Sequence, residues 1–367
     1  MFRHRNFLCR RLTWLLPVLI SAGTAFGQTT AQKDELLSTL GNLAESAARS
    51  YVSPLVSGFG ADLNSGWVHR TPDPTKLSLD LEFGLVGMFS FFSESSKSFS
   101  SSGSFKFDYR ETDLLIPNNY AGEERDSIRS QLMNIPFTVT LSGPTVVGSN
   151  TDTIRVKFSG GTASVVYKGV KESISLDPIE FSTHVTAILQ ELPLLPMAAC
   201  QFSLGMVYGT SLSFRFLPTS NVNGKLGKTT YGGFGFQHNP MVWFNNSLPL
   251  NLSFSLFTQT LKIGSVFKST ATDAGVFASK RVGWGILNIT PFAGLSLEKS
   301  NMTIAYDFQT TGPRDDSISI PISFVLKGEN NARLTLGVSV KIVFIDVSAD
   351  YSIAKYNSMS IGVGLIY

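Results

Sequence analysis

The chain has 367 residues, a formal charge of +3 and only 16% charged residues, against about 25% in ordinary globular domains. So weak a charge, with no Lys/Arg cluster beyond the first segment, excludes nucleic acid as a partner. The two cysteines, one of them inside the first segment, exclude a scaffold stapled by intramolecular disulfides.

The N-terminal segment reads as an export signal. Arg3, His4, Arg5, Arg10 and Arg11 form a basic region, followed by an apolar stretch from Leu12 to Ile20 and small residues to Ala25-Phe26-Gly27. This pattern predicts a cleaved signal peptide over 1–27. The stretch is too short for a membrane anchor, which needs about 20 apolar residues. Cys9 lies too early to be a lipoprotein cysteine. Across the chain, 28 phenylalanines, 32 glycines and few charges describe a protein that is hard to keep dissolved. No later segment is apolar for the length of a spanning helix. The other structure that satisfies every backbone group in lipid is a closed β-barrel.

Asp34 to Tyr51 carries the one helical stripe, with Leu36, Leu37, Leu40, Leu43, Ala44, Ala47, Ala48 and Tyr51 on one face and Asn42, Glu45, Ser46 and Arg49 opposite. Its spacing predicts an amphipathic helix ended by Pro54, Gly58 and Gly60, either on the surface at the periplasmic mouth or as a plug in the lumen. From Lys76 the period becomes two. Leu77, Leu79, Leu81, Phe83, Leu85, Phe89 and Phe91 alternate with Ser78, Asp80, Glu82 and Ser90, placing apolar groups on one strand face and carboxylates on the other. Phe105, Phe107 and Tyr109 against Ser104, Lys106 and Asp108 repeat the pattern after a serine-rich turn. The charged stretch 116–134 reads as a long loop or solvated face. Further strands are expected at 135–147, 153–158 and 162–170, with Pro136 and Pro144 marking edges. Alternation returns from Ala199, and later strands are expected at 229–238, 250–263, 273–283 and 286–298.

The last third is the most regular. Leu334, Leu336, Val338, Val340, Ile342 and Phe344 alternate with Arg333, Thr335, Gly337, Ser339 and Lys341, and similar runs lead to Tyr367. Segments of about 10 residues with one apolar and one small or polar face are the mark of a transmembrane barrel. Arg333 to Phe344 holds phase too long for a sandwich strand of about 5–6 residues. The terminal aromatic, Tyr367, resembles the signal by which the barrel-assembly machinery recognises its clients.

No residues assemble a catalytic, cofactor or metal motif. His69, His184 and His238 are isolated, and no HExxH, CxxC or phosphate loop appears. Gly232, Gly233 and Gly235 read as close-packed strand glycines. His238 with a serine could imitate an outer-membrane hydrolase, but serine is too abundant for that pairing to carry information. Asp80, Glu82, Lys106, Asp108 and Arg215 have the parity of lumen-lining groups. Trp67, Trp243 and Trp284 are candidates for aromatic girdles at headgroup depth.

Tyr51-Val52-Ser53-Pro54-Leu55, Gly58 through Trp67, Gly209 through Pro218, Gly233 through His238, Ala278-Ser279-Lys280 and Pro291 through Leu295 resemble an uncharacterised outer-membrane barrel family of Bacteroidetes. That family is distantly similar to FadL-type transporters of hydrophobic compounds, which implies a plugged barrel of 14 strands and passage of a hydrophobic solute. No FadL ligand residue has a counterpart here.

The expectation is therefore an all-β protein. A signal peptide (1–27) and an N-terminal helix with plug-like segment (28–70) precede a closed antiparallel transmembrane barrel (71–367) of about 14 strands, with 12 as the alternative count. It meets outer-membrane lipid and passes a small solute without catalysis or cofactor. A structural or adhesion barrel displaying loops such as 111–134 is the alternative function.

Overall fold

The structure is a computed structural model. It describes residues 47, 49–77, 79–107, 109–182, 186–187, 189, 192–221, 228–244, 249–265, 267–284, 286–311 and 317–367. The expected signal peptide and residues 34–46 and 48 of the expected helix lie outside these, as do Asp108 and His184. The described chain divides into two compact units, one comprising residues up to Pro54 with Glu94–Glu191, the other Leu55–Ser93 with Leu192–Tyr367.

Helix α1 is described over 49–64, so Pro54, Gly58 and Gly60 do not end it. At Gly60 the reason is steric, because a Cβ there would lie 2.1 Å from Ser300 Oγ. This glycine allows close approach to a strand. The helix stops before Gly66, whose φ of +67° is a left-handed conformation that costs glycine little.

The second unit is a closed antiparallel barrel. Strand β1 (Leu81–Phe91) pairs with β8 (Leu194–Gly205), and β9 (Thr210–Asn221), β10 (Lys228–His238), β11 (Asn251–Ile263) and β12 (Phe267–Ser279) follow in order. After a short β13 (Val282–Trp284), β14 (Leu287–Thr311) pairs with both β12 and β16 (Ala332–Ile342), and its far end makes a hairpin with β15 (Ser317–Lys327). Strands β17 (Ile345–Ile353) and β18 (Ser358–Ile366) return to β1 and close the ring. Among the described residues the ring holds ten strands, rather than 14 or 12.

The difference lies in 94–191, whose alternation serves another unit. There β2 (Ser98–Phe105), β3 (Phe137–Pro144), β4 (Arg155–Phe158) and β7 (Ile179–Ser182) form one sheet, and β5 (Gly161–Tyr167) with β6 (Val170–Leu176) form a hairpin. Residues 111–134 are largely helical, as α2 (Tyr109–Leu115) and α3 (Gly122–Leu132). Ile128 and Leu132 of α3 are fully buried with Leu115, Val165 and Ile174, and these two side chains anchor a helix that otherwise reads as a charged loop. Phe107 packs against Phe137 and Phe158 at centroid distances of 5.5 and 5.2 Å. The apolar residues of this region thus face an internal core. Lys106 follows β2 in this unit and is no part of the barrel wall.

On the barrel the period-two reading holds. Leu81, Phe83 and Leu85 point outward, whereas Val86, Met88 and Ser90 are buried. Phe254, Leu256, Val276, Leu295, Leu297, Leu336, Val338, Val347, Ile361 and Val363 continue an exposed apolar face. The inward positions of the same strands carry Gln201, Arg215, Ser255, Gln259, Asp273, Glu298, Arg333, Asp350 and Ser360, all buried.

Candidate functional site

The site is the lumen, and the segment from Leu55 to Leu77 runs along it. Contact partners change in step with position. Ser57 Oγ accepts from the backbone N–H of Glu329, beyond β15. Asn64 Nδ2 donates to Glu298 of β14 at 2.9 Å, and Ser65 Oγ lies 2.7 Å from Ser358 Oγ at the start of β18. Trp67 sits in mid-barrel, stacked on Phe257 with centroids 4.9 Å apart. Thr71 then bonds Ser279 at the end of β12, the Pro72 carbonyl accepts from Asn239, and Leu77 bridges to Val207 beside β9. The segment enters at one end of the barrel and leaves at the other.

Two arginines hold its middle. Arg333 of β16 donates to Asn64 O at 2.6 Å and Ser65 Oγ at 3.1 Å, and meets Asp273 and Glu298 at 3.0 Å each. Arg215 of β9 donates to Gln201 Oε1 at 2.8 Å and to Ser65 O at 2.7 Å, and its guanidinium lies 4.1 Å from the Trp67 ring centre. The planar fork of Arg suits such sites, because it bonds carbonyls and carboxylates together while stacking on an aromatic face. Nearby, Ser360 donates to Asp350 and Ser339 to Asp346 at 2.5 Å.

Towards the Leu77 end lies a small cleft whose lining includes His69, Arg70, Asp73, Asp80, Glu82 and Ser203. His69 Nε2 is 2.9 Å from Glu82 Oε2, and Arg70 lies 3.7 Å from Asp80 and 3.6 Å from Glu82. Asp73 faces Arg281 at 3.0 Å. Among the described residues, no group of three or more His, Cys, Asp or Glu side chains is placed to hold a metal ion.

Of the residues expected to line the lumen, the structure brings Glu82 and Arg215 into it and puts Asp80 at the cleft. Glu82 does not partner Lys106. Its partners are His69 and Arg70, supplied by the threaded segment. Trp67, expected at a headgroup girdle, is instead 3% exposed inside the barrel. Trp243 and Trp284 are exposed beyond the ends of β10 and β12, with Trp243 stacked on Tyr208 at 5.2 Å. His238 bonds Thr210 through Nδ1 and accepts from Trp243 Nε1 through Nε2, so no serine is among its described partners. Sequence reasoning missed Asp273, Glu298 and Arg333, although their signal is plain in retrospect. Each is a charge at an inward parity position of an otherwise small or polar face.

A search of curated proteins finds no match. Among solved structures, the β domain of the Bordetella autotransporter BrkA is 9% identical (TM-score 0.28), covering 78% of this chain and 99% of that one. A bacterial polysaccharide outer-membrane secretin is 8% identical (TM-score 0.23; 80% and 100% covered). A loop-deletion mutant of OmpT, an outer-membrane protein of Vibrio cholerae, is 8% identical (TM-score 0.21; 80% and 100% covered). At the level of sequence families, a match over residues 9–367 places the chain in DUF6588, a family of unknown function.

Proposed function

We propose that the protein is an exported outer-membrane barrel closed by its own N-terminal segment, and that displacement of residues 55–77 opens passage for a small polar solute. The apolar outward face supports lipid contact, since a closed barrel leaves no backbone group unpaired in the bilayer. The observation that carries the gating reading is the way the threaded segment is held. Its middle is tied to Arg215 and Arg333 through polar contacts, and buried ion pairs contribute little net stability against an apolar packing of equal volume. Such a fastening can exchange protein partners for water. The polar inward residues around it, Gln201, Ser213, Gln237, Ser255 and Gln259, favour a polar solute over the hydrophobic one implied by the FadL likeness. The reading involves no catalysis and no cofactor.

The test uses proteoliposome swelling with small sugars and amino acids. On a Cys200→Ser background, the pair Thr71→Cys and Ser279→Cys, whose hydroxyls lie 2.6 Å apart, ties the segment to the wall when oxidised. Solute flux that disappears on oxidation and returns on reduction supports gating. Equal flux in both states, with the disulfide verified by mass, refutes it. A second reading, a structural or adhesion barrel, is favoured by the separate core of the 94–191 unit, and predicts no flux in any state.

A further inference from the structure

The two barrel ends differ, and with the outer-membrane reading as premise the difference fixes which end faces the cell exterior. At one end lie the connections 206–209, 239–250, 280–286 and 343–344. At the other, 222–227, 264–266 and 354–357 are short as well, but β1 and β8 are joined through the whole of 92–193, and β14 and β15 extend as a hairpin before β16 begins. Outer-membrane barrels have short periplasmic turns and longer extracellular loops.

A second observation agrees. At the short-turn end the exposed apolar residues reach the strand tips, as in Leu81, Leu287, Ile342, Ile345 and Leu365. Towards the long-connection end of β11, β12 and β14, the outward positions become Thr258, Lys262, Lys268, Thr272 and Lys299, all exposed. A lysine on the lipid face of the bilayer midplane costs about 2–4 kcal/mol, so along β11, β12 and β14 the wall projects beyond the hydrocarbon at this end.

The threaded segment has a direction against this frame. Ser57 and Asn64 bond at the long-connection side, to Glu329 and to Glu298 and Arg333. Thr71, Pro72 and Leu77 bond at the short-turn end. We infer that the chain crosses the lumen from outside to inside before β1 starts, and that the connection between β1 and β8 leaves and re-enters the barrel at its outer end.

Impermeant maleimide labelling and antibody binding on intact cells test this, using the full chain with Cys200→Ser. Three reporters suffice: Ser130→Cys at an exposed position of α3, Lys280→Cys in a short turn, and an epitope tag inserted after Lys33. The expected result is that the tag and position 130 react on intact cells, and position 280 reacts only after the outer membrane is permeabilised. Reaction of 280 alone on intact cells overturns the assignment while leaving the membrane reading in place, as does silence of all three in a membrane-bound protein. A tag that reacts only after permeabilisation, with 130 already reactive, overturns the threading direction. Recovery of the protein in the soluble periplasmic fraction overturns the membrane premise and the inference together.

Discussion

Arg333 of β16 and Asp273 of β12 lie 3.0 Å apart although β14 separates their strands, and their side chains are 3% and 2% exposed. The pair therefore spans one intervening strand along the inner wall, and the same guanidinium holds Glu298 and the backbone of Asn64. Removing one partner of a buried pair strands the others at a cost of about 3–5 kcal/mol. Arg333→Ala is expected to lower the midpoint of thermal unfolding in detergent markedly. The triple change Arg333→Met, Asp273→Leu, Glu298→Leu removes both signs of charge and is expected to recover most of the loss. A triple variant no more stable than Arg333→Ala would show that the charges are individually required.

Trp67 owes its seat to missing side chains on β10. A Cβ at Gly235 would lie 2.6 Å from the Phe257 ring and 3.2 Å from Trp67, and one at Gly233 would lie 3.0 Å from Trp67. Overpacking a filled interior costs about 1–3 kcal/mol. Gly235→Val is therefore expected to destabilise the barrel by that amount and to move Trp67 off Phe257. Fluorescence of a variant retaining Trp67 as its sole tryptophan reads the displacement. An unshifted spectrum would show that the ring has other room.

These two sites mark where legibility of the sequence ends. The outward and inward parity of β1 and β14 to β18 follows from alternation alone, because the outer face and the lumen of a closed barrel impose opposite demands on neighbouring residues. Strands β2 to β7 alternate for a different reason, since one face meets a protein core, and nothing in the period separates a core from a bilayer. That ambiguity inflated the strand count and placed Lys106 in the barrel. Helix α3 was hidden because only a few of its residues are apolar enough to anchor it, and Trp67 was misplaced because its partners Phe257, Gly233 and Gly235 lie far away in sequence. The charges of the lumen were visible as parity, but which of them meet depends on barrel closure, which no local pattern encodes.

In the 94–191 unit, Asp113 accepts from Arg125 Nε at 2.8 Å and also meets Arg129. These hydrogen bonds, Arg125 first, hold its carboxyl below the ordinary 3.8. A depressed folded pKa means that the unfolded chain binds the proton more readily. The contribution is therefore complete above the ordinary carboxylate value and is lost as pH falls below it through the folded value. Amide exchange in α2 and α3 of the full-length protein is expected to show protection lost below about pH 4 relative to Asp113→Asn, whose protection is lower and indifferent to this titration. Parallel acid profiles for the two proteins would remove Asp113 as the cause.

The proposed immersion of the outward face in lipid makes a depth-dependent prediction. Val338 lies midway along the apolar face of β16, opposite Pro291 and Ala349 in the register, whereas Ile342 is at the strand tip. Arginine at the midplane of a barrel's lipid face costs about 2–4 kcal/mol, falling to about 0–1 near the interface, where the side chain reaches water. Val338→Arg is thus expected to lower folding stability in lipid vesicles far more than Ile342→Arg. In a soluble protein both positions are exposed, and two exposed arginines would cost alike and little. Equal effects at 338 and 342, measured by denaturant titration in vesicles, would contradict a bilayer around this wall.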